Sequence, residues 1–165
     1  MNPLDLDDLN RVSPYLVVPY RDEYLFRTDY DIEYVVGFKE ESTFAPIPAY
    51  WFDLSNRSQK SSPNDPKVRG TVIRIIIAFF RSNPDIMLYM CDNANDQQAQ
   101  RNRLFLRWFA SAKQSELYFM KTAQILDETI ENFIAIIVPR KHPHLQAIIE
   151  RFDEEIAMFQ SNKPL

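Results

Sequence analysis

Apolar and polar residues alternate along the first third of the chain in a pattern that predicts strands. Apolar residues recur at every second position from Ile32 to Phe38, which is the period of a strand with one buried face. Two shorter β-rich runs precede it at residues 15–20 and 23–28, and Pro19 confines the first of them to a sheet edge because proline has no N–H to donate. These three runs predict an antiparallel meander, and residues 49–54 predict a further strand.

Three longer patterns predict helices. The Asp-Pro pair at 65–66 is a strong helix start, since the carboxylate caps the first turn and proline fits the first helical position, and Asn-Pro at 83–84 ends this helix. Its apolar residues cover most of the circumference, so we expect it to be heavily buried. A second helix is predicted over 97–113 and a third over 144–160. The third has the most regular apolar stripe, formed by Leu145, Ile148, Ile149, Phe152, Ile156 and Phe159.

The remaining apolar runs, at 85–91, 116–126 and 132–139, predict three more strands. The order of elements predicts an α+β fold, with a mixed, largely antiparallel sheet of about six to seven strands packed with three helices. The length of 165 residues is typical of one domain. We therefore expect a flexible N-terminal arm at residues 1–14 and a single α+β domain over 15–162.

The composition limits both the expected cellular compartment and the kinds of binding site that the chain can contain. The net charge of −4 gives no global attraction to a phosphate backbone. Cys91 is the only cysteine, the N-terminus lacks the apolar run of a secretory signal, and no apolar run approaches the length of a membrane span, so we expect a cytoplasmic protein without a membrane segment. Gly37 and Gly70 are the only glycines, which excludes glycine-rich phosphate-binding loops.

The segment 89–109 carries the strongest candidate site, because a buried strand is followed there by a polar loop and an amphipathic helix rich in arginine. Two interpretations stay open. In the simpler one, an aspartate of the loop caps the helix and pairs with an arginine. In the other, the arginines and the helix N-terminus form a site for an anion or a nucleic acid. The candidate binding residues are Asp92, Asp96, Arg101, Arg103 and Arg107.

Other reactive residues have plainer interpretations. His142 and His144 flank Pro143 and mark a helix start more simply than a metal site, which would need further ligands. Cys91 ends an apolar strand and is expected to be a buried structural thiol. No catalytic residue is assigned, and neither a metal nor a cofactor is predicted.

Several motifs resemble a known family. They are residues 88–92 (LYMCD), 101–109 (RNRLFLRWF), 26–30 (FRTDY), 65–68 (DPKV) and 148–152 (IIERF). With them, roughly residues 15–160 resemble an uncharacterised bacterial family, a domain of unknown function found mostly in Bacteroidota, whose motif is a strand ending in Cys-Asp, a loop and an RxRLFxRWF helix. The resemblance implies a bacterial, intracellular, one-domain protein, and it implies no activity.

The sequence offers apolar and aromatic residues but no recognisable catalytic constellation, so an enzyme is the less favoured class. We expect a non-enzymatic protein-interaction module that binds a protein partner or forms a homo-oligomer, with Tyr50, Trp51 and Tyr118 as exposed aromatic contacts. The alternative is a small nucleic-acid-binding protein, or a ribonuclease-like toxin or defence protein, that uses the arginine-rich helix. A small-ligand pocket between the sheet and the helices is a third hypothesis.

Overall fold

A computed structural model of the protein describes residues 1–91, 106–111, 116–127 and 130–161. The helices are α1 (Leu6–Val12), α2 (Pro66–Ser82), α3 (residues 106–111) and α4 (Leu145–Ser161). The strands are β1 (Val17–Tyr20), β2 (Glu23–Arg27), β3 (Glu33–Glu41), β4 (Ala49–Asn56), β5 (Ile86–Cys91), β6 (Tyr118–Asp127) and β7 (Ile130–Pro139).

The strands form one mixed sheet in the order β1-β2-β3-β4-β5-β7-β6. The pairs β1–β2, β2–β3, β5–β7 and β6–β7 are antiparallel, and β4–β5 is parallel because α2 lies between these two strands in the chain. The predicted α+β class, with a mixed and largely antiparallel sheet, is therefore confirmed. Strand β1, which contains Pro19, lies at a sheet edge as expected.

The chain divides into two compact units. The first comprises Met1–Lys39 and Phe52–Pro84, and the second comprises Glu40–Trp51 and Asp85–Leu165. The single domain expected over 15–162 stays a prediction. Among the described residues, no helix is long and apolar enough to cross a membrane.

The first unit is built around α2. Asp65 caps this helix by accepting a hydrogen bond from the backbone N–H of Lys67, and Pro66 follows it. The burial expected for α2 is confirmed: Val72, Ile75, Ile76 and Phe79 have almost no exposed surface. The ring of Phe79 stacks on Phe38 of β3 with centroids 4.6 Å apart.

Residues 1–14, for which the sequence predicts a flexible arm, contain the short helix α1 and are held at several points. Asp5 caps α1 by accepting from the N–H of Asp8, and Leu9 is buried. The N–H of Leu4 donates to the hydroxyl of Tyr24 at 3.0 Å. The acidic composition of this stretch gives no sign of the N-cap at Asp5 or of the contacts that Leu4 and Leu9 make. The prediction of a flexible arm therefore missed this helix.

The second unit places β5 between β4 and β7, with α4 covering one face of the strands. Its core lies where the first half of α4 meets the sheet. The buried members of that core are Phe44, Ala49, Ile86, Leu88, Ile136, Val138, Ile148 and Phe152.

Candidate functional site

Most of the site predicted from the sequence lies outside the described residues: Asp92, Asp96, Arg101 and Arg103 all do. Arg107 is described, lies on α3 and is exposed. Phe109 of the same helix is buried, and its ring centroid lies 5.9 Å from that of Tyr118 on β6. Both interpretations of the segment 89–109 therefore stay predictions.

The aromatic residues expected to form an exposed interface are placed differently. Tyr50 is 6 % exposed and Tyr118 is 9 % exposed, and Trp51 is half-buried. Burial, with Asp85 and Glu40 adding to it, raises the pKa of Tyr50 above its usual value. The expectation of exposed contacts is wrong for Tyr50 and Tyr118, whose side chains are buried, whereas Trp51 is half-buried and lines the cleft described below.

The two histidines form a turn before α4. The backbone N–H of His144 donates to Nδ1 of His142 at 3.0 Å, and burial lowers the pKa of His142. In the part of the chain that the structure describes, no group of three or more His, Cys, Asp or Glu side chains could hold a metal ion.

The register of the strands explains why one end of the sheet presents an apolar face to α4. Leu88 pairs with Ile136, and Met90, two residues further on the same face of β5, pairs with Ile134. Leu88 and Ile136 are buried beneath α4, whereas Met90 is 47 % exposed. The apolar face of the sheet therefore extends beyond the part that α4 covers.

The apolar stripe of α4 also extends beyond the core. Ile148 and Phe152 are buried, Ile156 is half-buried, and Phe159 in the last turn is 47 % exposed. Met158 beside it is also 47 % exposed. The predicted stripe is thus present along the whole helix, but only its first part lies in the core.

Between the end of this stripe and the sheet lies an open cleft of about 530 Å³, within the usual range for binding pockets. Its walls come from α4, from one face of strands β4, β5, β6 and β7, and from the end of β3 and the residues that follow it. The lining residues are Glu41, Thr43, Phe44, Trp51, Leu88, Met90, Ile125, Asn132, Ile134, Phe152, Glu155, Ile156, Met158 and Phe159.

Glu41 is a polar group of the cleft whose two carboxylate oxygens both accept hydrogen bonds. Its Oε1 accepts from the backbone N–H of Thr43 at 3.1 Å and from the hydroxyl of Thr43 at 2.7 Å. Its Oε2 accepts from Nε1–H of Trp51 at 2.7 Å. The hydrogen bonds from Thr43 and Trp51 hold the pKa of the Glu41 carboxyl below its usual value, so the group is ionised at neutral pH.

The donors to Glu41, which come from Thr43, Trp51 and the backbone of Ser42, are all neutral. In the described ranges of the chain no lysine, arginine or histidine forms an ion pair with it, whereas Glu155 is paired with Arg151 at 2.8 Å. Arg151 also donates through Nε to the carbonyl of Thr43 at 3.4 Å. Glu41 therefore contributes a fixed negative charge that no described cation neutralises.

Two exposed polar contacts hold α4 over the sheet beside the cleft. Nζ of Lys121 lies 2.6 Å from Oδ1 of Asp153, and Nε2 of Gln160 donates to the carbonyl of Gln124 at 3.2 Å. These contacts connect α4 with β6, and both elements line the cleft.

The cleft is lined by few ionisable side chains. Among its described lining residues the ionisable side chains are Glu41 and Glu155, and both are engaged by donors from the protein. Sequence reasoning missed Glu41 and did not place Trp51 in a cleft. The available signal was the α4 stripe, which continues to Phe159 with more apolar length than a small core requires.

Comparison with known proteins identifies the family. Neither a curated protein nor a solved structure gives a significant match to the chain. The model of a family of unknown function, DUF6169, matches residues 64–154, which is more than half of the chain and includes α2, β5, β6, β7 and part of α4. The protein therefore belongs to the family of unknown function DUF6169.

Proposed function

We propose that this protein is a non-enzymatic protein-interaction module and that the cleft beside α4 is its binding site. The single observation that carries the proposal is the half-exposed group Met90, Met158 and Phe159 around an apolar cleft of about 530 Å³. Contiguous exposed apolar surface marks sites where another molecule binds. Methionine side chains adapt to different partners because they are unbranched and flexible.

The same group favours a protein partner over a small metabolite. A metabolite site encloses its ligand, whereas here the apolar surface continues from the cleft floor, at Leu88 and Ile134, out to Met158 and Phe159 on the rim. A polypeptide that covers both floor and rim would bury this surface. Protein interfaces have such an apolar centre with polar groups at the edge.

The nucleic-acid alternative has less support in the described residues. The charged groups that line the cleft are carboxylates, which repel phosphate, and Arg107 is the one predicted arginine that lies in the described part. The origin in Bacteroidota and the intracellular location remain part of the proposal, and they rest on the resemblance described for residues 15–160.

The test is a selection with defined probes. A displayed library of random peptides, each of about 12 residues, would be selected on the full chain, since a segment of that length can cover such a groove. Peptides retained by a Met158→Asp, Phe159→Asp double variant would be discarded. Both positions are half-exposed, so the variant should fold, as circular dichroism and thermal unfolding would verify.

We expect a set of peptides that binds the wild-type chain and not the variant. A selection that leaves no peptide after this subtraction would contradict the proposal. Sedimentation across a concentration series tests for self-association. If the wild type forms a dimer and the double variant does not, the occupant of the cleft is a second copy of the chain. That result would still support an interaction module.

A further inference from the structure

We infer that the partner segment carries a lysine or arginine next to an apolar anchor, with the apolar side chain in the cleft and the cation on Glu41. This inference rests on the proposed function and specifies the chemistry of its partner. Three observations carry it: the charge state of Glu41, its place beside Trp51, and the electrostatics of the end of α4.

The first observation is the ionised carboxylate of Glu41, which is paired with no cation among the described residues. Neutral donors from Thr43 and Trp51 fix both oxygens of Glu41, and no cation within the described residues is paired with it. A carboxylate oxygen accepts more than one hydrogen bond, so Oε2, which accepts from Trp51, retains capacity for a further donor. A cationic donor would form this further hydrogen bond and would also neutralise the negative charge of Glu41.

The second observation is the neighbourhood of that charge. Glu41 lines the same cleft as Trp51, Phe44 and Ile156, so its charge borders apolar surface. A lysine or arginine fits such a border because its methylene stem packs on apolar groups while its charged head reaches the polar edge. Arginine can also stack on an indole such as that of Trp51.

The third observation is the C-terminal end of α4, which contributes Met158 and Phe159 to the cleft. The last turn of a helix exposes carbonyl groups and carries partial negative charge, which basic residues usually offset. The last turn of α4 contains no basic residue. The helix end therefore carries partial negative charge at the rim formed by Met158 and Phe159, which also favours a cation there.

A second copy of the chain fits this cleft less well. The chain carries 23 acidic and 19 basic residues, so its surface offers an acidic cleft more carboxylates than cations. An acidic or neutral partner segment would leave Glu41 uncompensated or repelled. Charge complementarity thus selects a basic, apolar segment of another protein.

The experiment uses the peptides that depend on the cleft. Their sequences are compared with the unselected library, and the tightest binder is synthesised together with a version in which its cationic residue is replaced by glutamine. Both are titrated by fluorescence anisotropy against the wild type, Glu41→Gln and Glu40→Gln. Glu40 is the matched control: it is the preceding residue of β3, it is exposed, and it lies outside the lining of the cleft.

We expect lysine or arginine to be enriched beside an apolar residue in these peptides. Glu41→Gln should weaken the basic peptide by about two- to fivefold, as for a partly exposed ion pair, and should leave its glutamine version unchanged. Glu40→Gln should change neither affinity appreciably, and added salt should weaken only the basic peptide.

The outcomes separate the two proposals. Cleft-dependent peptides that lack basic residues, or that bind Glu41→Gln and the wild type equally, would overturn the basic-partner inference and leave the interaction module intact. A wild-type dimer seated on the cleft would also overturn it. Absence of any cleft-dependent peptide would overturn both.

Discussion

The hydroxyl of Tyr15 donates a 2.5 Å hydrogen bond to Oδ2 of Asp65, the residue that caps α2 through its other carboxylate oxygen. The same hydroxyl accepts from the backbone N–H of Asp29 at 3.3 Å. One buried tyrosine thus joins the residues before β1, the turn after β2 and the start of α2. The contact orders the capping carboxylate in the conformation that α2 needs.

Tyr15→Phe should lower the free energy of unfolding by about 1–3 kcal/mol, because it removes the hydrogen bond to a carboxylate and keeps the ring. Urea unfolding monitored by circular dichroism measures the change. Tyr30→Phe is the control, since Tyr30 is 56 % exposed and should change stability little. Equal effects of the two substitutions would contradict the role given to Tyr15.

The same residue predicts a pH dependence. Burial, together with the hydrogen bond to Asp65, raises the pKa of Tyr15 from 10.0 to about 12. Its contribution to stability is complete below pH 10 and is lost as the pH rises toward 12, because the unfolded chain releases the proton first. Unfolding titrations in this range should show a shallower decline for Tyr15→Phe than for the wild type. Parallel declines would sink this prediction.

Asn83 should be critical for attaching the N-terminal residues. Its side chain accepts from the N–H of Asn2 at 2.7 Å and donates to the carbonyl of Asn2 at 2.9 Å, and Asn83 is almost fully buried. We expect Asn83→Ala to cost about 1–3 kcal/mol and to speed amide exchange in α1. In a chain that lacks residues 1–4 the same substitution should cost less. An undiminished cost there would show that the contact to Asn2 contributes nothing.

Gly70→Ala should fail to stabilise α2, although glycine in a helix interior normally costs about 1 kcal/mol relative to alanine. An added Cβ at residue 70 would lie 2.9 Å from Cγ of Pro14, which is too close for a carbon contact, and the proline ring cannot move aside freely. Combining Gly70→Ala with Pro14→Ala should recover part of the gain. Thermal unfolding of the two single variants and the double variant forms the cycle that measures this coupling.

Substitutions at the two ends of the apolar stripe of α4 should lower the free energy of unfolding by different amounts. Phe152→Ala removes a buried ring and should cost about 3–5 kcal/mol, whereas Met158→Ala removes a half-exposed side chain and should cost less than about 1 kcal/mol. Denaturant unfolding of both variants tests the difference. A large loss at Met158 would place this residue in the core and argue against an open cleft.

Glu41 should contribute to stability at neutral pH and lose that contribution in acid. Its pKa is lowered in the folded protein by hydrogen bonds from Thr43 and Trp51, so its contribution is present above the usual carboxyl pKa of 4.5 and disappears as the pH falls through the folded value. Glu41→Gln should flatten this part of the stability profile, and Glu40→Gln should not. Indole fluorescence of Trp51, measured in a Trp108→Phe background, provides a local readout. Identical acid profiles for the wild type and Glu41→Gln would contradict this.

Local patterns in the sequence predicted the seven strands and helices α2 and α4 with most of their boundaries. Asp65 and Pro66 predicted the start of α2 because an N-cap and a proline at the first helical position act within one turn of helix. Pro19 predicted that β1 lies at a sheet edge because proline itself has no N–H to donate, whatever its neighbours are. The stripe of α4 was equally readable, since its period depends only on neighbouring turns. Helix α1 was missed because it is short and the residues before it are held by distant groups: the N–H of Leu4 donates to Tyr24, and that of Asn2 donates to Asn83.

Only the tertiary structure decided where the apolar stripe of α4 stops being core. Ile148 and Phe159 look alike in sequence, yet one is buried on Ile136 and Val138 and the other borders an open cleft. That difference depends on how far the sheet extends beneath the helix and on which strands pair. The placement of Glu41 beside Trp51 likewise depends on β3 and β4 bringing together residues ten positions apart. Such pairings are long-range, so no local pattern encodes them.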